Sequence, residues 1–269
     1  MHILICENSI DGIFSGIYRA YASRYGHNNI RLTTRDSLDT YELFCEYEEI
    51  SVDTKNSQKV ADTLRTRLGQ ETYSDICCAI CAYESPRDQK RNMDKAEAVY
   101  KTVVLALAMK DGSRILEQLG NPYVNRVFRL WRSAGNEAHH LLGFLRFSEL
   151  EHGILFSRIH PKNNILPILA EHFTDRLPME SFIIYDETHK TAALHKCGSG
   201  YILAEVPNAD EDFMNRFSGK EMEFRQLWVE FVHTIAIEAR MNPKLQSQNI
   251  PKRFWKDTIE LRDAAEAPQ

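Results

Sequence analysis

The segment between Glu137 and Arg176 concentrates the side chains of this chain that could do chemistry. Histidines, arginines and acids occur there among apolar residues that should be buried. Such a density of titratable groups within an apolar pattern normally marks a site, because burial and neighbouring charges shift pKa values. The segment therefore indicates either proton transfer or recognition of an anion.

The first part of this segment is predicted to be a helix over residues 137–147. At 100° per residue, His139, Gly143 and Arg146 share one side, and Glu137 lies on the other. Glycine costs about 1 kcal/mol relative to alanine inside a helix, so Gly143 suggests close approach of a phosphate or of another helix. The structural alternative makes His139 a core residue and Arg146 half of an ion pair, with Glu137 complementing the helix dipole.

A second histidine–arginine combination follows further along the chain. His172 and Arg176 are i,i+4 neighbours in a helix predicted over residues 164–176, although Asp175 could instead neutralise Arg176. Asp186 ends a predicted strand with His189 just beyond it, and a histidine–aspartate pair there could orient a general base. The acid–base candidates are Glu137, His139, His172 and Asp186.

No metal site is predicted. Glu137 and His140 have the spacing of one arm of a di-iron bundle, but the sequence offers no second arm. Cys77, Cys78 and Cys81 lie in an apolar, helix-like stretch, and no further cysteine pair follows at zinc-ligand spacing. We therefore expect these cysteines to pack in the core.

Charge is distributed unevenly along the chain. The net charge of −5 argues against a protein that coats nucleic acid. Residues 205–223 are rich in acids, whereas residues 239–256 carry five cations and no acid. Within the basic stretch, Arg253, Trp255 and Lys256 suit phosphate contact and base stacking. The alternative is a tail that packs its tryptophan onto the domain. The predicted phosphate-binding residues are Arg146, Arg176, Arg253, Trp255 and Lys256.

The pattern of apolar residues predicts an α+β fold with a mainly helical middle, a small antiparallel sheet and a long C-terminal helix. A strand over 2–6 precedes a helix capped by Asp11. The antiparallel meander is predicted over 181–186, 190–196 and 200–206. The long helix begins at a capping box of Ser218 and Glu221 and ends at Asn242-Pro243.

The expected domain organisation is an N-terminal segment 1–85, a core 86–262 and a frayed tail 263–269, with one compact unit as the alternative. No apolar run approaches the roughly 20 residues that span a bilayer. The opening residues also lack the basic start of a signal peptide. We therefore expect a cytoplasmic protein that has no membrane partner.

Several short motifs resemble those of one bacterial family. Near the start these are Asp11-Gly12 and Gly16. The middle motif comprises Glu137, His139, Gly143, Phe144, Arg146 and Phe147. Further matches are His172-Phe173 with Arg176, and Tyr185-Asp186 followed by His189-Lys190. The strongest match is Asn242-Pro243-x-Leu245-Gln246 with Pro251-x-Arg253-Phe254-Trp255-Lys256. The departures are His160-Pro161, where glutamate-proline is commoner, and Phe254, which replaces a tyrosine.

Over nearly its whole length the chain resembles the bacterial DNA metabolism protein family, whose domain of unknown function also occurs fused to uracil-DNA-glycosylase-like proteins. The resemblance implies an accessory protein of DNA metabolism or repair that works with a radical-SAM DNA modification or repair protein. The partner would carry the iron–sulfur cluster and S-adenosylmethionine, and this chain no cofactor. DNA is a further expected partner, bound locally through phosphate.

Two other interpretations stay open at this point, and so does the question of whether the chain is an enzyme. The first is an independent enzyme acting on a base or nucleotide, which requires Glu137, His139, His172 and Asp186 to meet in one pocket. The motifs GxSxG, GxGxxG and the P-loop are absent from the sequence. The second is a protein scaffold, which an exposed apolar face on residues 221–240 would favour.

Overall fold

A computed structural model describes residues 1–34 and 42–261 of the chain. It divides into two compact units, Met1–Asn136 and Glu137–Gln269. The expected boundary between segments 1–85 and 86–262 stays a prediction, and the tail 263–269 lies outside the described residues. Among the described residues, no helix combines the length and the apolar character needed to cross a bilayer.

The first unit contains a parallel sheet in the order β2-β1-β3. Its strands are β1 (His2–Cys6), β2 (Ile30–Thr33) and β3 (Glu46–Ile50). Its α-helices are α1 (Ile10–Ser23), α2 (Thr54–Leu68), α3 (Gln70–Ile80), α4 (Pro86–Arg91), α5 (Lys95–Ala108) and the first part of α6 (Pro122–Phe144). Short 3-10 turns occupy His27–Asn29 and Gly112–Glu117. The helical middle of the chain is thus as predicted.

The cap of α1 differs from the prediction. Ser9, not Asp11, is the N-cap, because its backbone is extended and its hydroxyl accepts a hydrogen bond from the amide of Gly12 at 3.0 Å. Asp11 lies inside the first turn and accepts a hydrogen bond from Ser57 on α2. Its carboxylate therefore joins two helices rather than starting one.

Two of the three cysteines that were expected in the core are buried there, whereas Cys77 is only partly buried. Cys78 and Cys81 are buried at the C-terminal end of α3. Burial raises the pKa of each thiol to about 12, so both behave as small apolar side chains.

The second unit is built on a mixed sheet in the order β4-β5-β6-β7-β8. Its strands are β4 (Ser148–Glu149), β5 (Leu155–Ile159), β6 (Phe182–Asp186), β7 (Thr191–His195) and β8 (Tyr201–Glu205). Its further α-helices are α7 (Leu166–Arg176), α8 (Glu211–Met214), α9 (Gly219–Ile235) and α10 (Pro243–Asn249). Its 3-10 turns are Glu151–Gly153, Glu238–Arg240, Lys252–Asp257 and Ile259–Leu261.

The antiparallel meander of β6, β7 and β8 is confirmed, as is the α+β class. The sheet is larger than predicted, because β5 adds to β6 in the parallel direction. Ile159 pairs with Asp186, so both strands finish at the same edge of the sheet. Residues that follow β5 and β6 are therefore brought together there, as is usual at the carboxyl ends of parallel strands.

Two predicted helix ends are wrong. Helix α6 stops at Phe144 because Arg146 turns back and donates a hydrogen bond to the carbonyl of Gly143 at 3.0 Å. Arg146 consequently does not share a helix face with His139. Glu137 lies well inside α6 and far from its first turn, which is where a carboxylate would complement the helix dipole. Helix α9 begins after Ser218 as predicted but ends at Ile235.

The segment beyond α9 starts a new helix instead of continuing the long one. Asn242 caps α10, and its side-chain oxygen accepts a hydrogen bond from the amide of Leu245 at 3.0 Å. Pro243 suits this position, because the first turn of a helix does not need its missing N–H. Asn242-Pro243 is therefore a start signal here, where the sequence predicted a stop.

Candidate functional site

A pocket of about 420 Å³ opens in the second unit. Its cationic lining residues are Arg146, Arg158, Arg225 and Lys256, joined by His160. Its carboxylates are Glu187 and Asp257, and its apolar residues include Phe156, Met214, Phe217 and Ile259. This size lies within the range of small-molecule sites. Four cations and two carboxylates line the cavity, and three further carboxylates pair with its arginines, namely Glu211, Glu221 and Glu260.

The pocket gathers its charges from separate elements. Arg146 follows α6, Arg158 belongs to β5, and Arg225 belongs to α9. Lys256 and Asp257 come from the 3-10 turn Lys252–Asp257. These elements are separated in the sequence, so the arrangement depends on how they pack together.

His160 joins the carboxylates of the pocket. Its Nδ1 lies 2.8 Å from Asp257 Oδ1, and its Nε2 lies 3.0 Å from Glu187 Oε2. Arg158 Nη1 adds an ion pair to Glu187 at 3.4 Å. Burial works to raise the pKa of Glu187, but the charges of His160 and Arg158 outweigh it and hold that pKa below its ordinary value.

Arg225 is held over an aromatic ring. Its Nε lies 2.8 Å from Glu221, its Nη2 donates a hydrogen bond to Ser148 at 2.6 Å, and its guanidinium lies 3.7 Å from the centre of the Phe217 ring. Glu221 also accepts from the amide of Glu149, rather than closing the predicted capping box on Ser218. These contacts fix a flat cation against an apolar wall.

The remaining cations differ in how fully they are neutralised. Arg158 binds Glu211 at 2.7 Å in addition to Glu187. Arg146 is paired with Glu260 at the longer distance of 3.4 Å. Lys256 is exposed, and within residues 1–34 and 42–261 it forms no ion pair or hydrogen bond. Arg146 and Lys256 are therefore the cations of the pocket with the most capacity for a ligand.

Glu137 lies outside this pocket and is fully engaged by its own unit. Its side chain is only 2% exposed. Its oxygens accept hydrogen bonds from the amide of Lys162, from the amide of Asn163 at 2.7 Å and from the Asn163 side chain at 2.6 Å. Arg253 Nη2 completes the shell at 3.3 Å. This carboxylate anchors the loop after β5 and leaves little capacity to accept a proton from a substrate.

Among the described residues, Glu137 forms no hydrogen bond with the other acid–base candidates, although it lies near enough to His189, the partner of Asp186, to raise the pKa of that histidine. His139 is exposed on α6, and His172 packs edge-on against Phe173 on α7. Among the described residues, no hydrogen bond joins any two of Glu137, His139, His172 and Asp186, and none of them lines the 420 Å³ pocket.

Asp186 pairs with a histidine that the sequence placed only nearby. The carboxylate is completely buried and accepts from the amide of Thr188 at 2.9 Å and from His189 Nδ1 at 2.6 Å. The hydrogen bond from His189 raises the pKa of that histidine, and the charges of Asp186 and Glu137 add to this against the cost of burial. The partner that Asp186 orients is thus His189, the histidine just beyond the strand.

The predicted phosphate-binding residues separate into three groups. Arg146 and Lys256 line the pocket. Arg176 is exposed in the last turn of α7, away from the pocket lining. Arg253 is half exposed, bound to Glu137 and stacked over Phe254 at 4.6 Å.

Trp255 is buried, which corrects its expected use for base stacking. It is 8% exposed, and its Nε1 donates a hydrogen bond to the carbonyl of Ile250 at 2.7 Å. Phe254 beside it is 1% exposed and packs against Phe144. The apolar rings of this motif secure the tail to the unit, so only its Lys256 faces the pocket.

Arg158, His160, Glu187, Arg225 and Asp257 were missed as site residues. His160 carried a usable signal, because it directly follows a strand. Arg225 carried none, since one arginine on a charged helix looks like any solvated side chain. Among the described residues, no group of three or more histidine, cysteine or acidic side chains is placed to hold a metal ion.

The region of the chain that matches a known family contains the whole of this pocket. No curated protein matches the chain in sequence. Residues 93–260 match the family model of DUF4130, described as a domain of unknown function. All residues that line the pocket fall within this match. The chain therefore belongs to the DUF4130 family.

Proposed function

We propose that this protein is an accessory factor of DNA metabolism or repair that binds the phosphate of a nucleotide in the 420 Å³ pocket. The observation that carries the proposal is the convergence of Arg146, Arg158, Arg225 and Lys256 on one cavity. Guanidinium groups match the geometry of phosphate oxygens, and lysine adds a mobile point charge. The bacterial DNA metabolism family that the chain resembles supports the choice of a nucleotide among possible phosphates.

The pocket suits a single nucleotide better than a duplex. Its volume of about 420 Å³ corresponds to one small molecule. The net charge of −5 disfavours an extended electrostatic surface for nucleic acid. Phe156 and Phe217 supply an apolar wall beside the cations, which fits a molecule with both a phosphate and a ring. The ligand is then a free nucleotide, or one nucleotide of a strand that is accessible to the pocket.

A protein partner is the second part of the proposal. The resemblance supports a radical-SAM DNA modification or repair protein, which would carry the iron–sulfur cluster and S-adenosylmethionine. Helix α9 offers a surface for such a partner, because Phe224, Leu227, Phe231 and Ile235 share one face and are all more than half exposed. Exposed apolar patches of this kind mark interaction sites in soluble proteins. The same face also favours the scaffold interpretation, which differs in requiring no ligand in the pocket.

An acid–base reaction is the remaining candidate function. The observation that favours it is the contact of 2.6 Å between buried Asp186 and His189. A buried carboxylate that holds one ring nitrogen of a histidine leaves the other available for proton transfer. The pair does not line the 420 Å³ pocket, so this activity would be separate from phosphate binding there.

Isothermal calorimetry with a 2′-deoxynucleoside 5′-monophosphate tests the binding proposal. Lys256→Ala should weaken binding about tenfold or more, because a charge-assisted hydrogen bond is worth about 1.5–3 kcal/mol. Arg176→Ala is the matched control, since it removes an exposed cation of the same motifs from outside the pocket. Equal effects of the two variants, or no effect of Lys256→Ala, would refute the assignment.

A further inference from the structure

We propose that Asp257 recognises a hydrogen-bond donor on the nucleotide, so that the pocket selects a phosphate ester carrying a hydroxyl or an amine over inorganic phosphate. The inference rests on the proposed function and adds the specificity of the same site. It gives an acidic residue a favourable contact with the ligand, in a pocket that is proposed to bind phosphate.

The evidence begins with an unpaired oxygen. The Asp257 side chain is 10% exposed and lines the pocket. Its Oδ1 is engaged by His160 at 2.8 Å. Its Oδ2 is buried and has no hydrogen-bond partner in the part of the chain that the structure describes. Buried acceptors without a partner are uncommon in folded proteins, so this one needs an explanation.

The neighbouring cations do not supply the missing partner. Arg146 is paired with Glu260, Arg158 with Glu187 and Glu211, and Arg225 with Glu221. Asp257 therefore keeps an acceptor that is not committed to any guanidinium of the pocket. A phosphate oxygen would be repelled by this carboxylate, whereas an O–H or N–H group would pair with it.

The lining thus offers two kinds of contact to one ligand. Arg146 and Lys256 can take a phosphate, and Asp257 can take a donor. A nucleotide meets both requirements, because its sugar carries hydroxyl groups and its base carries N–H groups. Because Oδ2 is buried, the donor that reaches it must be a small group such as a hydroxyl or an amine.

His160 determines how this acceptor responds to substitution. Its Nδ1 contacts Oδ1 of Asp257, and its Nε2 contacts Glu187. In Asp257→Asn, His160 Nδ1 should keep its contact with the amide oxygen of the new side chain. The NH₂ group then occupies the position of Oδ2. A donor would then face the donor of the ligand, which removes the favourable contact and adds repulsion.

The test uses the full chain and calorimetry with inorganic phosphate, 2-deoxyribose 5-phosphate and a 2′-deoxynucleoside 5′-monophosphate. Asp257→Asn should bind inorganic phosphate as well as the wild type or better, because it removes a negative charge. Its preference for the nucleotide over inorganic phosphate should fall about tenfold or more. Glu171→Gln is the control, since it removes one negative charge at an exposed position on α7 outside the pocket lining, and its preference should be unchanged.

The three probes also identify the donor. If the sugar phosphate weakens together with the nucleotide, the donor is a sugar hydroxyl, and if only the nucleotide weakens, it is a base N–H. Asp257→Ser, which removes the carboxylate with less bulk, should lower the same preference. An unchanged preference in both Asp257 variants, or an equal fall in Glu171→Gln, would overturn the inference. Failure of the wild type to bind any probe would refute the proposed function instead.

Discussion

His160 Nδ1 lies 2.8 Å from Asp257 Oδ1, and this contact ties the end of β5 to the turn that supplies Lys256. The second nitrogen of His160 reaches Glu187 at the end of β6. One imidazole therefore holds together the two strand ends and the C-terminal turn. This link is one of the contacts that hold the turn carrying Lys256, together with the buried rings of Phe254 and Trp255.

His160→Ala is expected to weaken nucleotide binding without touching a phosphate directly. The substitution releases Asp257 and leaves the Lys252–Asp257 turn less firmly placed, so both affinity and the unfolding temperature should fall. Calorimetry and thermal unfolding measure the two effects. His139→Ala, at an exposed position on α6, is the control and should change neither. Unaltered affinity in His160→Ala would show that the link does not position the pocket.

Glu137→Ala is expected to lower the free energy of unfolding by about 2 kcal/mol or more, because hydrogen bonds to charged groups are worth about 1.5–3 kcal/mol. The amides of Lys162 and Asn163 would lose their acceptor, and Arg253 its partner. Urea unfolding measures the change. Glu171→Ala, exposed on α7, should be nearly neutral. A loss as small as that of the control would contradict the anchoring role.

The Asp186–His189 pair predicts a pH dependence of stability. Because the pKa of His189 is raised in the folded protein, its contribution is fully present below the ordinary histidine pKa of about 6.5 and is lost as the pH rises through the raised folded value. Urea unfolding between pH 5 and pH 9 (about two units either side of neutrality) covers this window. In His189→Asn the corresponding decline should vanish, while His139→Asn should keep it. If the stability of the wild type rises with pH in this window, and the rise is absent from His189→Asn, the assignment is contradicted.

A charged residue on the exposed face of α9 should disrupt the proposed partner complex. Phe231→Asp places a carboxylate where a half-exposed ring now lies, so folding should be little affected while an apolar interface would be broken. A pull-down with a purified radical-SAM DNA repair protein of the same organism measures the complex. Gln226→Asp, which adds the same charge to the same helix, is the control. Equal recovery of the partner by wild type and Phe231→Asp would exclude this face.

Local patterns predicted much of the fold but only part of the site. The strand periodicity identified β6, β7 and β8, and Ser218 correctly marked the start of α9. Arg146 and Lys256 were predicted from the motif around each, and both line the pocket. Trp255 was predicted to stack on a base, but its ring is buried. The alternation of basic and aromatic residues does not show whether an aromatic ring packs in the core or contacts a ligand.

The missing site residues depend on tertiary structure. Arg158 looks like an ordinary strand residue, and it becomes a site residue only because β5 lies parallel to β6 beside the C-terminal turn. Asp257 gains its unpaired oxygen from burial, which no local spacing reveals. Asp186 does pair with a histidine, as its position before a turn suggested, because the tight turn after β6 brings His189 back to it.

The most direct test of the pocket is a crystal structure of the full chain with a 2′-deoxynucleoside 5′-monophosphate. The phosphate is predicted to lie within hydrogen-bond distance of Lys256 Nζ and the Arg146 guanidinium, with a donor of the ligand directed at Asp257. A phosphate bound elsewhere, for example at Arg176, with the pocket containing only solvent, would contradict the account.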